Sequence, residues 1–203
     1  LTARHVDAAI RGTWALANIG DPRAVGAMLQ LSRDAAAEVR RNIVVLAQYA
    51  IKNGVLGAPQ LRGRIEWLLS DEDATVRAAA FDALVFLEGE SAQGEMNVAQ
   101  LALRAAHADI RLRALQLLVK FGGGGAHAGH ALARNADAML GDALDDENSK
   151  VRDEAFRTLW AWHASEPRPA LERAACCRHA DLRARIVAEA ARVQAPWADA
   201  QLL

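Results

Sequence analysis

One dipeptide recurs along this chain at intervals suited to helical hairpins, and it limits the fold more than any other feature. A Val, Ile or Leu followed by Arg occurs at Val39-Arg40, Val76-Arg77, Ile110-Arg111, Val151-Arg152 and Leu182-Arg183, each behind one to three acidic residues. Small or apolar residues stand four, seven and eight positions after the first member, as in Ile43, Leu46 and Ala47, or Ala80, Ala83 and Leu84. The same holds for Ala114, Leu117 and Leu118, for Ala155, Thr158 and Leu159, and for Ile186 and Ala190. A worn sixth copy opens the chain, with Ala8 in the first place and Ala15-Leu16 in the later ones. The first places step by 31, 37, 34, 41 and 31 residues. Those offsets share one helical face, so each copy predicts an amphipathic helix with a buried stripe. Between copies lies a second helical pattern (Val25, Met28, Leu29; Ile65, Leu68, Leu69; Val98, Leu101, Ala105; Leu132, Met139, Leu140; Leu171, Ala174, Ala175), three of them opened by Pro22, Pro59 or Pro169. Two helices per step and no strand alternation predict an all-α chain. A single hairpin cannot bury its own stripe, so the hairpins must stack.

Composition agrees with close helix packing. The chain has 203 residues, enough for a sizeable core, and holds 46 alanines against only 5% aromatic residues. Its 24 Lys and Arg nearly balance 25 Asp and Glu, which argues against a chain built to coat nucleic acid or an anionic membrane. No apolar run approaches the ~18 residues of a membrane span, and no leader pattern opens the chain. Two adjacent cysteines, Cys176 and Cys177, form no disulfide framework and suit a reducing cytoplasmic setting. The expected organisation is one repeat domain over residues 1–203, with a Gly-rich insertion between repeats at 121–130 in the longest step. Leu1 is not an initiator methionine and the first copy lacks an opening helix, so a piece of a longer protein is expected.

The run Ala15-Leu16-Ala17-Asn18-Ile19-Gly20-Asp21-Pro22-Arg23-Ala24-Val25, followed by Leu29, Asp34 and Val39-Arg40, resembles the HEAT repeat, nearest to the short variety also found in phycobilisome lyases. The resemblance covers nearly the whole chain. It implies a right-handed α-α superhelix of five to six hairpins, with the second helix of each lining a concave surface. It also implies a structural ladder in which Arg40, Arg77, Arg111, Arg152 and Arg183 pair with turn aspartates of their own or the adjoining repeat. On the second helices, offsets of about three, six and ten leave an outward row. Its candidate binding residues are Trp14, Asn18, Asn42, Tyr49, Phe86, Arg113, Gln116, Lys120, Arg157 and Trp160, with Arg11 and Val45 in the same row. Aromatic and Arg side chains of this kind are enriched at protein interfaces. The expected function is therefore a non-catalytic protein-interaction or scaffold module, whose partner is a protein, a peptide or another domain of the same polypeptide.

Nucleic-acid binding and a phycobilisome-lyase-like subunit are the alternatives. Charge opposes the first: residues 1–60 carry roughly +3, but 61–110 carry roughly −5, where a phosphate-tracking surface needs continuity. Gly122 to Gly125 lack the Lys-Ser/Thr of a nucleotide loop and no strand precedes them. His127 and His130 share a helical spacing, yet a zinc site needs three or four ligands and no further ones are placed with them. Cys176 and Cys177 read as small buried residues of a first helix, with His179 nearby. Related repeats with di-iron use His-Glu pairs, and the chain contains no His-Glu dipeptide. Those of alkylation-repair glycosylases need a cationic groove. No catalytic residue, metal or cofactor is expected.

Overall fold

The computed structural model describes residues 3–54, 57–89, 91–122 and 130–192. Among them the chain forms eleven α-helices and no strand: α1 (Ala3–Asn18), α2 (Arg23–Leu31), α3 (Ala37–Lys52), α4 (Ala58–Leu68), α5 (Ala74–Glu88), α6 (Ala92–Ala102), α7 (Ala108–Leu118), α8 (His130–Ala143), α9 (Ser149–Trp162), α10 (Arg168–Ala175) and α11 (Ala180–Arg192). The Val-Arg copies fall on α1, α3, α5, α7, α9 and α11, and the intervening patterns on the even-numbered helices. His127 and most of the 121–130 insertion lie outside the described residues. At its near edge, Phe121 ends a short 3-10 turn and is buried.

Local chemistry places the helix boundaries. Asp73 caps α5 by accepting hydrogen bonds from the amides of Thr75 (2.8 Å) and Val76 (3.3 Å), and Asn148 caps α9 through the Lys150 amide. Pro59 and Pro169 occupy first-turn positions whose amides would have had no helical partner. Gly57 precedes α4 at φ 95°, where a Cβ would also meet Val25 Cγ1 at 3.0 Å. Both the backbone and the space at that turn require glycine.

The helices form two units. The first comprises Leu1–Val98 with Ala105–Ile110, the second Ala99–Arg104 with Arg111–Leu203. In the first unit α3 lies against both α1 and α5, while α2 and α4 back that row and touch each other. In the second unit α9 packs against α8, α10 and α11. The buried stripes run as the spacing predicts on α3, α5 and α9: Val39, Ile43, Leu46 and Ala47; Val76, Ala80, Ala83 and Leu84; Val151, Ala155, Thr158 and Leu159.

The first copy is out of phase with the expectation. Ala8 and Ala15 are exposed, and the buried residue of α1 is Thr13, flanked by half-buried Ala9, Leu16 and Ala17. The stripe therefore starts one residue later. Thr13 can point inward because its hydroxyl donates to the Ala9 carbonyl at 2.8 Å, which removes the penalty of a bare buried polar group. Two other readings also change. Ala105 is buried but lies beyond the end of α6. Cys176 caps the end of α10 and is exposed, whereas Cys177 is buried with its thiol 3.4 Å from the His179 carbonyl.

Ala80 and Ala114 are completely buried. A larger side chain there must displace buried neighbours. Ala80→Leu and Ala114→Leu should each lower stability by about 1–3 kcal/mol, read as a lower urea midpoint at unchanged slope. An unchanged midpoint would contradict close approach at these positions.

Candidate functional site

The recurring arginines and the turn acids interlock. Arg40 donates from Nε and Nη2 to the two carboxylate oxygens of Asp71, at 2.8 and 2.7 Å, across 31 residues. Its Nη1 donates to the carbonyls of Asp34 and Ala35 in the turn ahead of its own helix, at 2.9 and 3.0 Å. Arg77 repeats this: its fork reaches Asp109, and Nη1 reaches the carbonyls of Asp71 and Glu72. In the second unit Arg111 forks onto Asp146 at 2.6 and 2.8 Å. Arg152 donates to the carbonyls of Asp146 and Glu147 and to the carboxylate of Asp181. Arg183 donates to the Cys177 carbonyl. Asp71 and Asp146 are thus each held twice, by side chain to the arginine of the preceding repeat and by main chain to their own.

These cations are committed to the fold. The Arg40 and Asp71 side chains are only 7% and 4% exposed, and both Asp71 oxygens are taken. Burial alone would raise the Asp71 pKa, but the hydrogen bonds from Arg40 and the Asp73 amide outweigh it and hold the carboxyl below its ordinary range. The Arg152 hydrogen bond does the same for Asp181. A guanidinium with its fork on a carboxylate and its remaining nitrogen on two carbonyls has little left for a ligand.

The outward row is different. Trp14 (54% exposed), Val45 (56%) and Tyr49 (52%) stand in solvent on α1 and α3. Between these two helices runs a groove of about 570 Å³ whose walls are Trp14, Ile10 and Arg11 on one side and Asn42, Val45, Leu46 and Tyr49 on the other. Most of that lining is apolar. Arg11 supplies its one formal charge, and among the described residues no carboxylate pairs with it. Further along the row, Phe86 on α5 is half exposed with Lys52 Nζ 5.2 Å above its ring. Asn18 is exposed at the end of α1.

The structure therefore brings Trp14, Asn42 and Tyr49 together, and sets Asn18 and Phe86 outside the groove walls. In the second unit Gln116 and Lys120 are exposed, Arg113 is half-buried, and Lys120 lies 5.8 Å from the Phe121 ring. Arg157 is exposed but ion-paired with Glu154 one turn away. Trp160 is half-buried, its ring tilted 43° to Phe156 at 5.8 Å, so it fills space between side chains instead of facing solvent. Sequence reasoning missed Ile10 and Leu46 as groove walls. Leu46 belongs to the buried stripe but its edge floors the groove, and Ile10 is hidden by the phase error on α1.

Among the described residues, no group of three or more His, Cys, Asp and Glu is arranged to hold a metal ion, and no helix is long and apolar enough to cross a membrane. Compared with known proteins, the chain matches no family model and no curated sequence.

Removing one side of a buried charged pair leaves the other uncompensated. Arg40→Ala should cost about 3–5 kcal/mol, and Arg40→Lys should not restore it, because an ammonium cannot span a carboxylate and two carbonyls at once. Chemical denaturation of both variants checks this. The pH dependence follows from the lowered Asp71 pKa: its contribution is full above the unfolded value near 4 and is lost as pH falls toward the folded one. Stability of the parent protein should therefore drop below pH ~4, with a smaller drop in Asp71→Asn. Equal slopes would remove Asp71 from the account.

Proposed function

We propose that this chain is a HEAT-like α-solenoid serving as a non-catalytic binding module, with a protein or peptide partner seated along the outward row of the odd-numbered helices. The groove between α1 and α3 carries the reading. It is an apolar trough of about 570 Å³ flanked by exposed Trp14 and Tyr49. Exposed large apolar side chains set around a trough mark interaction surfaces more often than folding needs. The pattern of two aromatic anchors, one unpaired Arg and one amide also matches the residues that dominate interface energetics.

In the solenoid arrangement the odd-numbered helices form the concave side, so Phe86 and Lys52 extend the same surface. Such a scaffold is already ordered before binding, and little conformational freedom is lost when a partner docks. No chemistry is required of it: the ladder arginines are consumed by the fold, and the groove contains no nucleophile or acid–base pair.

Peptide-display selection on the purified protein tests the proposal. Selected peptides should bind at least about tenfold more weakly to Trp14→Ala and Tyr49→Ala, the scale of an interface hot spot. The helical melt of both variants should stay close to the parent, since both side chains are exposed. Peptides that bind the variants and the parent equally would place the binding surface elsewhere.

A further inference from the structure

A second cavity of the first unit lies away from the α1–α3 groove, between the turn after α2 and the end of α4. It measures about 630 Å³ and is lined by Arg33, Arg64 and Trp67 together with the ladder residues Arg40, Asp71 and Glu72. Arg64 is held rigidly there. Its Nε donates to Ser32 Oγ at 2.7 Å and its Nη2 to the Ser32 carbonyl at 2.8 Å. Its guanidinium lies over the Trp67 indole, 3.9 Å from the ring centroid, and Trp67 is itself 60% exposed. Nη1 of Arg64 has no acceptor among the described residues, and neither Arg64 nor exposed Arg33 pairs with a carboxylate there.

Three acids also line this cavity, Asp34, Asp71 and Glu72, and among the described residues none is ion-paired with Arg33 or Arg64. Both oxygens of Asp71 accept from Arg40. Asp34 caps the Ala36 amide with Oδ1. Glu72 is 86% exposed and its recorded contact is with Arg40, at 3.4 Å. Burial, and after it the charge of Arg33, depress the Arg64 pKa; the Asp71 carboxylate opposes the shift and Arg40 adds to it. Two guanidiniums thus face one cavity with neither of them ion-paired among the described residues, and one of them has been oriented in advance by three contacts.

Repetition within the chain supplies a control. Counted back from the Val-Arg anchor, the place of Arg64 is held by Ala27, Val98, Met139 and Ala170 in the other repeats. The place of Trp67 is held by Gln30, Leu101, Asp142 and Arg173. The corresponding cavity between α8 and α10 is lined by Asp142, Asp145 and Glu172 beside Arg173. Stacking of repeats therefore does not require a cationic, aromatic-backed cavity at this position.

We infer that the cavity at Arg33, Arg64 and Trp67 is a binding site for a phosphate group, which accepts from Nη1 of Arg64 and takes a bidentate fork from Arg33, with the Trp67 ring beside it. Bidentate guanidinium geometry suits a tetrahedral oxyanion. The phosphate is either the free ion or an ester carried by a larger molecule, and the exposed indole offers a stacking surface to the second.

Calorimetric titration with inorganic phosphate and with phenyl phosphate, at ionic strength fixed by sodium chloride, tests this on the whole chain. Saturable binding with a Kd of about 1 mM or tighter is expected for at least one probe, with a change in tryptophan emission that is lost in Trp67→Phe. Tighter phenyl phosphate assigns the ester, and equal or tighter inorganic phosphate assigns the free ion. Arg33→Gln should weaken binding at least about tenfold, one lost charge-assisted pair, with an unchanged melt, because Arg33 is exposed and its side chain has no recorded partner. Arg64→Lys, which keeps the charge but cannot hold Ser32 and present a free donor at once, should weaken it as well. Absence of saturation up to about 10 mM, or binding that is indifferent to Arg33→Gln, overturns the site. Either result leaves the α1–α3 groove untouched, since neither residue lines it.

Discussion

The fold depends on a guanidinium that performs two tasks at once. Arg40, Arg77 and Arg152 each tie down the carbonyls of the turn that precedes their own helix and reach forward to the carboxylate of a later turn. The first task satisfies backbone acceptors that a tight turn would otherwise leave bare. The second fixes the distance and direction of the following repeat. Lysine could do neither in full, because it lacks the planar fork. Loss of either half leaves buried polar groups without partners, and that cost exceeds what an exposed ion pair contributes. Among the described residues, Nε of Arg152 is the one buried side-chain nitrogen or oxygen without a hydrogen-bond partner.

Fixed turns allow the helices between them to be built from small residues. Ala47, Ala80, Ala83, Ala99, Ala114 and Ala155 are buried where helices meet, and such contacts bring backbones near one another. They bury little apolar area per residue, so larger side chains such as Phe81, Phe156, Met28 and Met96 fill the remaining space. The aromatic residues that are not needed for this stand outside. Trp14, Tyr49, Trp67 and Phe86 are all at least half exposed. In an alanine-rich protein with few aromatic residues, placing four of them in solvent is a considerable departure from burial, and all four lie beside a groove, a cavity or a cation.

Repetition made much of this visible in the sequence. Five copies of one pattern average out local noise, so helix identity, the α3, α5 and α9 stripes and the recurrence of Arg and Asp were all legible. The phase of α1 was not, because alanine carries almost no signal about which face is buried. Thr13 could be recognised as inward only from its bond to the Ala9 carbonyl. Part of the groove was legible, since offsets three, six and ten picked out Trp14, Asn42 and Tyr49. Its floor was not, because Leu46 looks like any other core residue until the neighbouring helix is in place.

The Arg64 cavity was illegible for a different physical reason. Its defining contact joins Arg64 to Ser32 across 32 residues, and periodicity points only to features that recur. A repeat protein, however, contains its own comparison set. Residues held constant at equivalent positions answer to stacking, which every repeat must satisfy. Residues that occur once, at positions where other repeats carry Ala, Val, Met, Asp or Leu, are free of that requirement. By this criterion the arginines at the anchor positions belong to the architecture, although they are the most conspicuous cations in the sequence. Arg64, which occurs once at its place in the repeat, keeps Nη1 for a ligand.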